Sequence, residues 1–170
     1  VLFGAFLAFS LSNAAFCRAA VTLDDVRGLI REGRYEEAER RARALLADAE
    51  RAHGGESMPV ADVLDQLAEA MRNAGHSGAP DALGICERAV RVKEKLAGKN
   101  SAPYAASLHN LGALHLTNGD LPRARPPLEK ALEIRRKVLG EDHPDVARSM
   151  MFLAKLDADQ ARLGDAETLV

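Results

Sequence analysis

Tryptophan is absent, aromatic residues make up only 4% of the 170-residue chain, and cysteine occurs twice. So few aromatics leave little material for a sheet core, whereas the abundant alanine suits closely packed helices. Cys17 and Cys86 are too few for a disulfide framework and lack CxxC spacing, which argues against redox chemistry and structural zinc. A dominant charge is missing as well: 23 Lys and Arg stand against 25 Asp and Glu, a net charge of -2. No global field draws the chain toward nucleic acid, and no nucleic-acid partner is expected. What is there, 47% hydrophobic and 28% charged residues, fits one folded domain rather than a disordered chain.

Residues 1–16, VLFGAFLAFSLSNAAF, carry no charge. The run is shorter than the roughly 20 residues that span a bilayer, and small residues follow it, so it reads as the apolar core of a secretory signal. Residues 1–20 are therefore expected to be a signal peptide or membrane anchor. The protein is expected to be exported to a periplasmic or extracellular space, or tethered to a membrane through residues 1–16 if the segment is retained. The chain begins on Val and stops inside an apolar-periodic stretch, which predicts a piece of a longer protein.

Shifting the sequence by 42 positions superposes Ala82 on Ala124, Glu87 on Glu129, Ala89 on Ala131, Lys95 on Lys137 and Gly98 on Gly140. Self-similarity at a fixed period of this length is the mark of a solenoid, whose units bury their apolar faces against one another. In the clearest unit, Leu108, Leu111, Gly112 and His115 precede a turn at Asn118-Gly119-Asp120, and Ala124, Leu128 and Ala131 follow it. Apolar spacing of 3 to 4 on both sides predicts two amphipathic helices. The small residues Gly112, Ala124 and Ala131 let their backbones approach closely. Two features predict departures. Pro126-Pro127 removes backbone donors inside the second helix and predicts a kink near Arg123 to Pro127; Ala161 replaces the turn glycine of the last unit, which predicts a less sharply broken helical pair from Met150 onward.

These residues resemble the tetratricopeptide repeat, in the long variety found in kinesin light chains; the segment Ala131 to Ala147, ALEIRRKVLGEDHPDVA, is close to that family's linking segment. The resemblance implies an all-α, right-handed α-solenoid of antiparallel helix pairs over residues 21–170, in about three and a half repeats: 21–58, 59–102, 103–144 and a partial 145–170.

Motifs for chemistry are missing. No HExxH, P-loop, GxSxG or EF-hand spacing occurs, and His109 and His115, six apart, fall on different faces of a helix. No catalytic, cofactor or metal site is expected, and Cys86 reads as a small core residue. The remaining function is recognition of a protein or peptide. In arrays of the family it resembles, first helices line a concave groove, which places Asp62, Asp65, Gln66, Glu69 and Asn73 there from the second unit, and His109, Asn110, Ala113 and Thr117 from the third. Arg148, Met151, Phe152, Lys155 and Asp159 would follow from the fourth. One end of such a groove is acidic and the other basic, which suits a ligand with a basic segment facing Asp62, Asp65 and Glu69. A second reading makes the array the recruiting or sensor arm of a larger enzyme or signalling protein.

Overall fold

The computed structural model describes residues 21–168, with side chains through Leu163. Among the described residues all regular structure is helical: α1 (Leu23–Arg31), α2 (Tyr35–His53), α3 (Met58–Asn73), α4 (Ala82–Ala97), α5 (Ala102–Thr117), α6 (Leu121–Leu139) and α7 (Pro144–Thr168). The segment 1–20, and with it the expected signal or anchor, lies outside the described residues.

Local chemistry sets these boundaries. Thr22 and Asp25 form a reciprocal capping box ahead of α1, while Ser101 and Asp120 accept backbone N–H bonds at the starts of α5 and α6. Inside each helical pair the chain reverses by one repeated device. At the third pair, the Gly119 N–H donates to the Leu116 carbonyl and the Asp120 N–H to the His115 carbonyl. That double bond closes a Schellman turn and requires the positive φ of 77° that Gly119 adopts. Gly33 and Gly75 close the first two pairs with the same bonds. Between pairs the device differs. Gly98 sits at φ 84°, ψ 159°, a region essentially confined to glycine, and Gly54 and Gly140 share it.

Each first helix packs antiparallel against its own second helix and beside the next first helix: α1 touches α3, α3 touches α5, and α5 touches α7. Among the described residues no two second helices bring their backbones within 8 Å, and α4 meets α2 only at long range, where Arg88 pairs with Glu50. Neighbours that meet on one side and splay apart on the other produce a curved stack, with first helices lining its inner face. The closest approach lies in the third pair. A Cβ added at Gly112 would stand 2.6 Å from Leu128 Cγ and 3.0 Å from the Ala124 carbonyl oxygen, so the small residues there set the α5–α6 spacing. The core is built from such positions along the whole stack, among them Leu64, Leu67, Met71, Leu114, Leu128 and Leu156, each buried.

One sequence expectation, a broken fourth unit, is corrected. The helix α6 continues through Pro126-Pro127 without a break. The prolines remove only the bonds to the carbonyls of Pro122 and Arg123, both exposed residues whose carbonyls water can serve. The fourth unit is one continuous helix, α7, with no turn at Ala161. Without glycine at that position, nothing supplies the left-handed residue that the three other reversals use.

Candidate binding groove

The inner face holds a cavity of about 490 Å³. Six of the fourteen residues assigned to a groove from sequence line it: Asp62, Asp65, Gln66 and Glu69 from α3, Asn110 from α5 and Arg148 from α7. The other eight, among them Ala113, Met151, Phe152 and Asp159, do not. Asn73 faces a separate hollow beside the α1–α2 turn with Tyr35 and Arg40. Thr117 donates from its hydroxyl to the carbonyl of Ala113 in its own helix, and Lys155 stands exposed beyond the cavity. His109 is only 2% exposed and meets the Phe152 ring edge-on at 4.7 Å, so it is part of the α5–α7 packing.

The acidic end expected to meet a basic ligand is already engaged within the chain. Lys93, on the second helix α4, passes through to the inner layer and lies 2.7 Å from both Asp62 and Asp65. Asp65 also accepts from Ser107 at 2.8 Å and from Asn110 at 3.1 Å, so one carboxylate joins α3, α4 and α5. Burial pushes the Asp65 carboxyl upward against the pull of Lys93, Ser107 and Asn110. The same burial opposes the charge on Lys93, but Asp65 and Asp62 outweigh it and hold the ammonium above the ordinary lysine value. Glu69, at 3.8 Å, faces Arg148, which also donates to Asp145 at 2.8 Å. A basic ligand segment would have to displace these partners.

Sequence reasoning missed Lys93 and its counterpart Arg135 because both lie on second helices, whereas the groove is read from first helices alone. A signal was present. Lys93 follows Ala89 by four residues and Arg135 follows Ala131 by four, so each places a cation in an otherwise apolar stripe, 42 positions apart. Both are 3% exposed. Burial draws the Arg135 guanidinium below its ordinary value, a pull that Asp145 and Asp65 resist and Arg148 reinforces.

His109 is the remaining unusual group. Its Nδ1 is buried without a hydrogen-bond partner, and burial, reinforced by Arg135, Arg148 and Arg72, holds its pKa down at about 2. The ring is neutral in the fold. No cluster of His, Cys, Asp and Glu suited to a metal ion occurs among the described residues. Cys86 is fully buried, and burial raises its thiol to about 12, far from the thiolate a nucleophile needs. What the inner face offers is charge, hydrogen-bonding groups and a hollow, which suit binding.

Comparison with known proteins agrees with this architecture. Residues 105–145 match the tetratricopeptide repeat family. Nephrocystin-3 of Xenopus tropicalis is 36% identical over 89 residues, 52% of this chain, and nephrocystin-3 of Mus musculus is 38% identical over 77 residues, 45% of this chain. The matched stretch is about 6% of either relative's length. Among solved structures, kinesin-light-chain TPR-like repeats from Podosopora anserina superpose with a TM-score of 0.71 at 22% identity, covering 85% of this chain and 67% of that one. BtubC (BKLC) from P. vanneervenii gives 0.67 at 26% identity, covering 85% and 57%.

Proposed function

This chain carries tetratricopeptide repeats of the kinesin-light-chain type, a scaffold for protein interaction, and we propose that it holds a peptide segment of a partner protein in the groove formed by α3, α5 and α7. One observation supports this reading above the others: successive first helices converge their polar side chains on a single cavity of about 490 Å³. A cavity shared by several helices of a stack suits an extended or helical segment lying across them. Asn110 contributes an amide there, although its Nδ2 is engaged by Asp65. The matched relatives are far longer than this chain, which favours a second reading in which the array is the recruiting arm of a larger protein. Both readings place the ligand in the same groove. Export or membrane tethering rests on the uncharged run at residues 1–16 alone.

The test is selection of capped twelve-residue peptides from a randomised display library on the 170-residue chain. Gln66→Trp fills the inner face, while Arg40→Trp adds the same bulk away from it. Selected peptides are expected to lose about tenfold or more in affinity on Gln66→Trp, about 1.4 kcal/mol, and to be unaffected by Arg40→Trp. Equal effects of the two changes would show that the inner face is not the binding surface.

A further inference from the structure

Placing the second and third units in register exposes a missing charge. The linking glycines Gly54 and Gly98 are 44 positions apart, as are the turn glycines Gly75 and Gly119, so α3 maps onto α5 with an offset of 44. Gly98 and Gly140 are 42 apart, and α4 maps onto α6 with that offset. The two residues of difference lie in the longer turn between α3 and α4. Lys93 therefore corresponds to Arg135, Asp62 to Ala106 and Asp65 to His109. The buried cation is kept, and both carboxylates that neutralise it in the second unit are gone from the third.

The surroundings of Arg135 do not replace them. Its Nη1 donates to the Asp145 carbonyl oxygen at 3.1 Å and to Ser149 Oγ at 2.7 Å, both uncharged acceptors. Neither Nε nor Nη2 has a hydrogen-bond partner among the described residues, and no carboxylate of those residues comes within 4.0 Å. The nearby Asp145 carboxylate is engaged by Arg148, and Asp65 by Lys93. His109, in the place of Asp65, is neutral and brings no counter-charge. Yet Arg135 lines the cavity, and so does Ala106, whose small side chain leaves open the space that a carboxylate fills one unit earlier. A buried guanidinium with a free edge toward an opening is suited to a carboxylate, which it can hold through two parallel N–H bonds.

We propose that Arg135 and the space over Ala106 form a subsite for an acidic side chain of the ligand, whose carboxylate takes the position relative to Arg135 that Asp62 takes relative to Lys93. Asp62 approaches Lys93 from the groove side and is itself partly exposed, so the equivalent approach to Arg135 is open to a ligand. Arg31, at the α1 side of the same cavity, also has no carboxylate within 4.0 Å among the described residues, and the cavity's cations outnumber its carboxylates by one. Unpaired cations at two places along the groove favour a run of acidic side chains over one terminal carboxylate. The assignment rests on the groove reading above, and it replaces a basic ligand segment with an acidic one.

Three fluorescein-labelled pools of twelve-residue peptides test it by fluorescence anisotropy on the full chain. All are acetylated and amidated, with Asp or Glu, Asn or Gln, or Lys or Arg fixed at four positions. The acidic pool is expected to bind about tenfold or more tighter than the amide pool, and Arg135→Gln to remove that preference. Removing a buried arginine can disturb folding, so Ala106→Asp is the decisive variant. It supplies the missing carboxylate within the chain and is expected to raise the melting temperature while abolishing the preference for the acidic pool.

Equal binding of the acidic and amide pools would overturn the subsite and leave the groove reading intact, provided Gln66→Trp weakens both. An undiminished acidic preference in Ala106→Asp would also overturn it, as would binding that appears only when an acidic pool is prepared with a free C-terminal carboxylate. Failure of all three pools to bind would overturn the groove reading together with the subsite.

Discussion

Replacing Lys93 with methionine is expected to destabilise the array by about 3–5 kcal/mol, the loss typical when one member of a buried ion pair is removed. Methionine keeps most of the chain length and apolar packing but leaves Asp65, 4% exposed, without its cation. Ser107 and Asn110 still donate to it, so the carboxylate is solvated in part and unpaired in charge. A second substitution, Asp65→Leu, is expected to restore much of the lost stability, because a buried pair replaced as a whole by apolar groups is often neutral or stabilising. The pH dependence gives an independent check. Without Lys93 the folded carboxyl titrates above the unfolded value of 3.8, so the native state binds the extra proton, and the variant's deficit relative to the parent narrows as pH falls toward 4. Urea unfolding of the two variants and the parent at pH 5 and pH 8 measures both effects. A loss under about 1 kcal/mol for Lys93→Met would place the pair among weak surface contacts.

The parent chain is expected to respond to acid in the opposite sense, through His109. Folded, the ring holds a pKa of about 2; unfolded, it returns to 6.5. Between those values the unfolded state binds one more proton than the native state, so stability is fully present above about pH 6.5 and falls as pH drops below it. The limiting slope for one such group is about 1.4 kcal/mol per pH unit, which integrates to about 2 kcal/mol between pH 6.5 and 4.5. His109→Phe keeps an aromatic ring against Phe152 and removes the titrating group, along with the unpartnered Nδ1. Its stability is expected to be flatter with pH across this window, and at pH 7 close to the parent, because removing a buried polar atom without a partner is nearly neutral or favourable. Thermal melts of both proteins from pH 7.5 to 4.5 decide this. Parallel curves would show that another group carries the acid sensitivity.

The fold was legible because its signals are periodic. The offset of 42, the glycines at the turns and the small residues at Gly112, Ala124 and Ala131 each state a steric need that the helical pairs satisfy. The double proline does not end α6, because the carbonyls it leaves unbonded belong to the exposed residues Pro122 and Arg123.

The groove was legible only in part, for a geometric reason. Assigning inner-face positions from first helices finds Asp62, Gln66, Glu69, Asn110 and Arg148. It cannot show that a lysine from the second layer passes between helices and neutralises two of the acids. Nor could the position of His109 alone reveal that Phe152 of α7 covers it. Both outcomes depend on side chains far apart in sequence. Only the cations set in apolar stripes, Lys93 and Arg135, carried a local hint.

The groove is the central claim, and amide chemical-shift mapping tests it most directly. An isotope-labelled chain is titrated with the tightest peptide from the display selection. The largest shifts are expected on the inner face, at Gln66, Ala106 and Asn110 and near Arg148, with little change along the outer faces of α2, α4 and α6. Shifts concentrated on those outer faces, with the inner residues unmoved, would contradict the account.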